Sequence, residues 1–275
     1  MRFTKMQGLG NDFVVIDGIR QRVALDTAMI RRLADRRYGV GCDQVLVAES
    51  PTHPEMDVRY RIFNADGTEV EHCGNGVRCL ALFLHDEGLV EGREFAIQTD
   101  AEPAVVRLLD DGQVTVNMGA PRLEPAEIPF QAAARQTLYP LDVDGETLQI
   151  AAVSMGNPHA VLQVEDVDTA PVERLGPLIE QHSAFPKRVN AGFMQVVDRG
   201  HLRLRVFERG VGETRACGTG ACAAMVAGRV QGLLDDEAEV ALTGGKLRLR
   251  WAGEGEPVWM TGPAVAVFQG EWPGS

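Results

Sequence analysis

Two stretches of the chain, "GNGVRCLALFLHDEGL" (74–89) and "GTGACAAMVAGRVQGLL" (218–234), are apolar on nearly every helical face. A surface helix keeps a polar side, so segments without one predict buried helices. Shorter runs, such as "VVID" (14–17), "YRIFNAD" (60–66), "AVLQV" (160–164) and "LRLRVFERG" (202–210), read as strands. "TAMIRRLADRRYG" (27–39) has the apolar spacing of a helix, and Gly39 is expected to cap its C-terminus. Each half therefore reads as strands, a helix, more strands, a glycine turn and a buried helix. The expected class is α/β (α+β): two pseudo-symmetric domains, each a mixed sheet or barrel curled around a central buried helix. The turn-rich "NMGAPRLEP" (117–125) marks the boundary. "TGPAVAVFQGEW" (261–272) reads as a further strand, expected to rejoin the first half. The expected domains are 1–118, joined by a strand at 263–275, and 119–262.

The halves match in detail. "HCGNGVRC" (72–79) and "ACGTGACAA" (216–224) each set a cysteine before a glycine turn, and Cys73 and Cys217 lie 144 positions apart. Gly10-Asn11 is echoed by Gly156-Asn157, and Gln44 in "GCDQVLV" by Asn190 in "RVNAGFM", each at an offset of 146. Phe63 and Phe207 precede their cysteines by ten residues, Glu69 and Glu213 by four. Several matches at a nearly constant offset indicate duplication, and the period is far too long for a solenoid.

Charge removes some functions from consideration. A formal net charge of −12 over 275 residues argues against nucleic-acid binding, which relies on clustered Lys and Arg. No apolar run approaches the ~20 residues of a membrane span, and the N-terminus lacks the apolar core of a signal peptide. Five cysteines, an odd number placed in glycine turns and helices, favour reduced thiols and a cytoplasmic location.

Each lead cysteine stands just before a buried helix. Free N–H groups at a helix start bind carboxylates, and the same field is expected to lower the thiol pKa. Two such ends could clasp one carboxylate, with a sulfur on either side of the adjacent carbon. That arrangement removes a proton from one face and returns a proton to the other. A duplicated structural turn is the competing account. Zinc ligation is not expected, because Cys79 and Cys222 fall inside the buried helices and are assigned to packing; Cys42 is also read as structural. Neither glycine turn has P-loop or dinucleotide spacing. Asn11 and Asn157 have a second reading, since asparagine in a glycine turn tolerates left-handed backbone.

"FNADGTEVEHCGNGVRC" and "ERGVGETRACGTGACAA", with "GLGNDF", "SMGNPHAV", "RVNAGF" and "GPAVAVF", resemble the diaminopimelate epimerase family from residue 3 to about 270. Glu71-His72 departs from the glutamine common there before the first cysteine, which bears on rate or pH tuning rather than on the reaction. The resemblance implies a cofactor-independent, homodimeric isomerase converting LL- to meso-diaminopimelate in lysine and peptidoglycan precursor synthesis. It implies Cys73 and Cys217 as the acid–base pair, with His159 and Glu208 supporting them. The carboxylate next to the reacting carbon is expected on the amides of Gly74-Asn75 and Gly218-Thr219. Asn11, Gln44, Asn64, Asn157, Asn190, Glu208 and Arg209 are expected to line the substrate pocket. A proline racemase-like enzyme is the nearest rival, but its substrate leaves Asn64, Asn190, Glu208 and Arg209 without charged partners. A thiol redox or metal protein is the rival from another class. A pyridoxal phosphate enzyme is disfavoured, since Lys5, Lys187 and Lys246 are the only lysines and none sits in a matched motif.

Overall fold

The computed structural model describes residues 1–70, 74–99 and 103–273. The chain divides into two compact units, Met1–Asn117 with Thr261–Ser275, and Met118–Met260.

Unit 1 runs β1 (Arg2–Gly8), β2 (Asn11–Asp17), α1 (Thr27–Ala34), β3 (Gln44–Glu49), β4 (Val58–Asn64), β5 (Glu69–Val70), α2 (Gly74–Asp86), β6 (Glu94–Gln98), β7 (Ala104–Leu108) and β8 (Val114–Asn117). The last strand of the chain, here β18 (Val265–Glu271), pairs antiparallel with β1. β1–β2 and β3–β4 are antiparallel, whereas β2–β3 and β4–β6 are parallel, so the sheet is mixed. The α2 helix is buried from Gly74 through Ala81 and packs against β1, β2, β3, β7, β8 and β18. On the outer face, Ile30, Leu33 and Ala34 of α1 join Phe3, Val14, Ile16, Val45 and Val47 in a second core. Cys42 belongs to that core, where burial chiefly raises its thiol pKa to about 11. It is a packing residue.

Unit 2 repeats the plan with β9 (Tyr139–Val143), β10 (Glu146–Ser154), β11 (Pro158–Gln163), α3 (Val172–Glu180), β12 (Asn190–Asp198), β13 (His201–Glu208), β14 (Gly212–Thr214), α4 (Gly218–Val230), β15 (Glu237–Leu242), β16 (Gly245–Trp251) and β17 (Val258–Gly262). Here α4 is the enclosed helix, packed by β10, β11, β12, β13, β15 and β16. Its small residues Ala221, Ala223, Ala224 and Ala227 let those strands approach closely, and all four are buried. The outer core joins Leu175 and Ile179 of α3 to Phe130, Tyr139 and Phe185, whose rings stack or meet edge to face.

The duplication extends to register. Phe13 faces Gln44 across parallel strands in unit 1, and His159 faces Asn190 in unit 2. Glu69 and Glu213 hold forked pairs with Arg61 and Arg205 on the neighbouring strand, at Nε–Oε1 distances of 2.6 Å in both.

The helix expected over 27–39 stops at Ala34. Asp26 caps its start by accepting from the N–H of Met29, but Asp35 leaves helical geometry. Its carboxylate accepts instead from the N–H groups of Arg37 and Tyr38, a local turn that competes with helix propagation. Gly39 is therefore not a left-handed cap. A Cβ there would lie 1.9 Å from the Arg32 carbonyl oxygen, so close approach of backbone requires glycine.

The β18 strand breaks the usual alternation. Val265, Ala266, Val267, Phe268 and Gln269 are all exposed, although three of them are large and apolar.

Candidate active site

In unit 1 the ends of β2, β3 and β4 bring three predicted residues together. Gln44 pairs in register with Asn64 and donates from Nε2 to its Oδ1 at 3.0 Å. That leaves Gln44 Oε1 buried with no hydrogen-bond partner among the described residues. An unsatisfied buried acceptor is costly and is characteristic of a ligand site. Asn11 lies at the start of β2, after a left-handed Gly10 (φ 82°). Asn11 itself has no positive φ, so its side chain, rather than backbone tolerance, accounts for its identity. Asn11 Oδ1 accepts from Asn75 Nδ2 at 3.4 Å, on the first turn of α2. Gly74 opens that helix. Cys73, with Glu71 and His72, lies outside the described residues.

Unit 2 contains the counterpart. Asn157 follows the left-handed Gly156 (φ 87°) and donates from Nδ2 to Thr219 Oγ1 at 3.4 Å, on the first turn of α4. Its Oδ1 lies 3.0 Å from Nε2 of His159. Asn190, opposite His159, donates to the Pro158 carbonyl at 3.0 Å and accepts the Arg209 N–H at 2.9 Å. This pins the end of β13, where Glu208 and Arg209 stand. Glu180, buried at the end of α3, holds the next residue by accepting the Gly210 N–H at 2.8 Å. Arg209 Nη1 donates to the Lys187 carbonyl at 3.0 Å.

Cys217 is the N-cap of α4 and is 4% exposed; Gly218 and Thr219 follow it at the helix start. Its Sγ lies 3.7 Å from Thr219 Oγ1, and the Glu208 carboxylate stands near enough that each group shifts the other's pKa. Thr214 donates to Glu208. The expected lowering of the thiol pKa is reversed here. Burial, and then the Glu208 charge, push the Cys217 thiol well above its ordinary value, although Thr219 and the Gly220 N–H pull it down. The helix-start effect is present but outweighed. Burial also raises Glu208, against the pull of Thr214 and Cys217. His159 is driven down to about 3 by burial and by the nearby Arg209 charge, so it is neutral at physiological pH. In its Nε2–H form it donates to Asn157. Cys217 and Glu208 are thus a neighbouring thiol and carboxylate, suited to exchanging a proton.

Arg78 adjoins the candidate site through Asn75, and the duplication does not reveal it because its counterpart position holds Cys222. It is fully buried, donates to Asn75 Oδ1 at 2.9 Å, and reaches the Pro263 carbonyl at 3.2 Å. The available signal was a charge inside an otherwise apolar helix, which demands partners. Cys79 and Cys222 are fully buried within α2 and α4. No helix among the described residues is long and apolar enough to cross a membrane.

The diaminopimelate epimerase family model matches residues 3–124 and 151–267. The chain belongs to the diaminopimelate epimerase family. A curated diaminopimelate epimerase of Alkalilimnicola ehrlichii is 63% identical over 273 residues, covering 98% of both chains. That of Halorhodospira halophila is 64% identical over 271 residues, covering 98% of this chain and 94% of the relative. Among solved structures, a probable proline racemase from Agrobacterium radiobacter superposes with a TM-score of 0.71 at 16% identity, covering 99% of this chain and 92% of that one. A hydroxyproline epimerase from Agrobacterium vitis gives 0.70 at 16%, covering 98% and 91%. At such identities the likeness shows a shared fold alone, here two units of mixed strands, each enclosing a buried helix.

Proposed function

We propose that the chain is a cofactor-independent epimerase interconverting LL- and meso-diaminopimelate, with Cys73 and Cys217 as its acid and base. The identity of about 63% over nearly the whole chain supports the substrate. The observation that carries the chemistry is the buried Cys217 thiol at the start of an enclosed helix, beside the half-buried Glu208 carboxylate. Inverting an α-carbon breaks its C–H bond on one face and makes a C–H bond on the other. One thiolate takes the proton, and the opposite thiol gives one. Charge built up on the substrate carboxylate during this step is stabilised by the helix-start N–H groups of Gly74-Asn75 and Gly218-Thr219. Glu208 receives the thiol proton when Cys217 acts as base; once Cys217 has taken the substrate proton, Glu208 releases its own to solvent and the Cys73 thiolate regains one from solvent. Neutral His159 serves proton handling for the pair. Asn64, Asn190, Glu208 and Arg209 recognise the distal ammonium and carboxylate, and Asn11, Gln44 and Asn157 complete the lining.

In deuterated water, product formed early from LL-diaminopimelate is expected to carry solvent deuterium at the inverted carbon. Retention of the original hydrogen in most product would mean a single base and would sink the two-thiol reading.

The four described cysteines are free thiols, which supports a reducing cytoplasm. The exposed apolar run of β18 supports a homodimer, since an uncovered apolar edge strand invites pairing with another chain. Sedimentation at micromolar concentration is expected to give a dimer, and Val267→Lys a monomer. A monomeric wild type would remove this assignment.

A further inference from the structure

Beneath Asn11 lies a cluster of four charges that the proposed chemistry does not use. Lys5, buried in β1, donates from Nζ to Asp12 Oδ2 at 2.6 Å and also to the Gly41 carbonyl. Arg36 bridges two carboxylates, with Nη2 2.7 Å from Asp12 Oδ1 and 2.8 Å from Asp43 Oδ1. The turn that ends α1 at Ala34 is what places Arg36 outside the helix. Asp43 Oδ2 then accepts from the Asp12 N–H at 3.1 Å and from Asn11 Nδ2 at 2.8 Å. The cluster is two cations and two anions, so it is neutral. Burial alone would raise the Asp12 carboxyl, but the Arg36 and Lys5 donors outweigh it and hold it far below the usual carboxylate range.

Hydrogen-bond direction gives this cluster its consequence. Arg78 can only donate, and it does so to Asn75 Oδ1. Asn75 Nδ2 donates to Asn11 Oδ1, and Asn11 Nδ2 to Asp43, which can only accept. A donor-only group at one end and an acceptor-only group at the other permit a single orientation of both amides. Turning Asn11 over would set its Nδ2 against that of Asn75, donor against donor. The related chain in unit 2, from His159 through Asn157 to Thr219, ends in groups that both donate and accept. Direction is therefore not locked there. Nothing in unit 2 repeats the cluster, because the positions matching Lys5, Asp12 and Asp43 are Ala151, Pro158 and Val189.

We infer that Asp43, held by Arg36 and the Asp12 N–H with Lys5 bracing Asp12, is a positioning residue that locks the Arg78–Asn75–Asn11 amide chain in one direction at the start of α2. This rests on the reading that Asn11 lines the substrate site. Asp43→Asn keeps the size but replaces an acceptor-only group with one that can donate or accept, which removes the lock. The Asp43 and Arg36 side chains are 45% and 58% exposed, so the change strands no buried charge.

The test compares kcat/KM on LL-diaminopimelate for Asp43→Asn, Asp43→Glu, Asn11→Ala and the double variant Asp43→Asn/Asn11→Ala. Asp43→Asn is expected to lower kcat/KM at least ~10-fold, within the range for loss of a charge-assisted hydrogen bond. Asp43→Glu should restore most of it, and the double variant should be no worse than Asn11→Ala alone. Should Asp43→Asn fold poorly, Arg36→Gln carries the same comparison with a smaller loss. Losses that multiply in the double variant, or a neutral Asp43→Asn beside an impaired Asn11→Ala, would overturn the inference. A fully active Asn11→Ala would instead overturn the site assignment on which it rests.

Discussion

Cys217→Ala is expected to lower kcat for diaminopimelate by ~10²–10⁴-fold, the range for removing an acid–base group from a proton-transfer step. The loss should leave the fold nearly intact. Cys217 makes no side-chain capping bond to α4, so the helix start loses only the weak contacts of the sulfur with its first turn, such as Thr219 Oγ1 at 3.7 Å. Glu208 keeps its Thr214 donor. What remains is a cavity of one sulfur, costing about 1 kcal/mol, or a few degrees of melting temperature in a chain of this size. Cys222→Ala is the control in the same helix. It deletes a fully buried thiol on α4 that lies away from the helix start, and should cost similar stability with kcat unchanged. Equal activity in the two variants would show that Cys217 is a packing residue after all. Cys73→Ala carries the same expectation from the duplicated motif.

The parts of this molecule that could be read from sequence were those with a pattern intrinsic to one segment or shared by both halves. The helices α2 and α4 were legible because no polar face interrupts them. Asn157 and Asn190 were legible because Asn11 and Gln44 echo them at one offset. The end of α1 was not, since apolar spacing continues past Ala34 while the Asp35 carboxylate captures two backbone N–H groups. The charge state of Cys217 was also out of reach. A helix start is visible in sequence, but burial and the approach of Glu208 across β13 and β14 are tertiary facts, and they reverse the sign of the shift. Lys5, Asp12, Arg36 and Asp43 were hidden for another reason. A search guided by duplication finds what the halves share, and this cluster exists in one half only.

Glu208→Gln is expected to move the acid limb of the kcat/KM profile to higher pH and to lower activity near pH 7 by ~10²–10³-fold. In the wild type the thiol lies beside the Glu208 carboxylate, so the pair carries one negative charge once its first proton has left. That proton leaves at the raised carboxyl pKa, after which a thiolate forms by proton transfer to the carboxylate, without loss of a proton to water. Glutamine cannot take the proton. The variant's thiol must ionise unaided, and two effects then oppose each other. Loss of the neighbouring charge lowers its pKa, whereas burial, the larger cause, keeps it above the ordinary ~8.5 of a free thiol. Activity should therefore recover as pH rises above ~8.5, and the rate of Cys217 alkylation by iodoacetamide should rise over the same range. Stability separates this from damage to the fold. Because the folded-state pKa of Glu208 is raised, the folded protein binds that proton more tightly than the unfolded chain does. The desolvated charge consequently costs stability at neutral pH, and the cost is relieved as pH falls through the raised pKa. A neutral glutamine should hold or raise the melting temperature at pH 7 while activity collapses. An unmoved acid limb, with activity lowered equally at every pH, would leave Glu208 as a substrate contact and remove it from proton transfer.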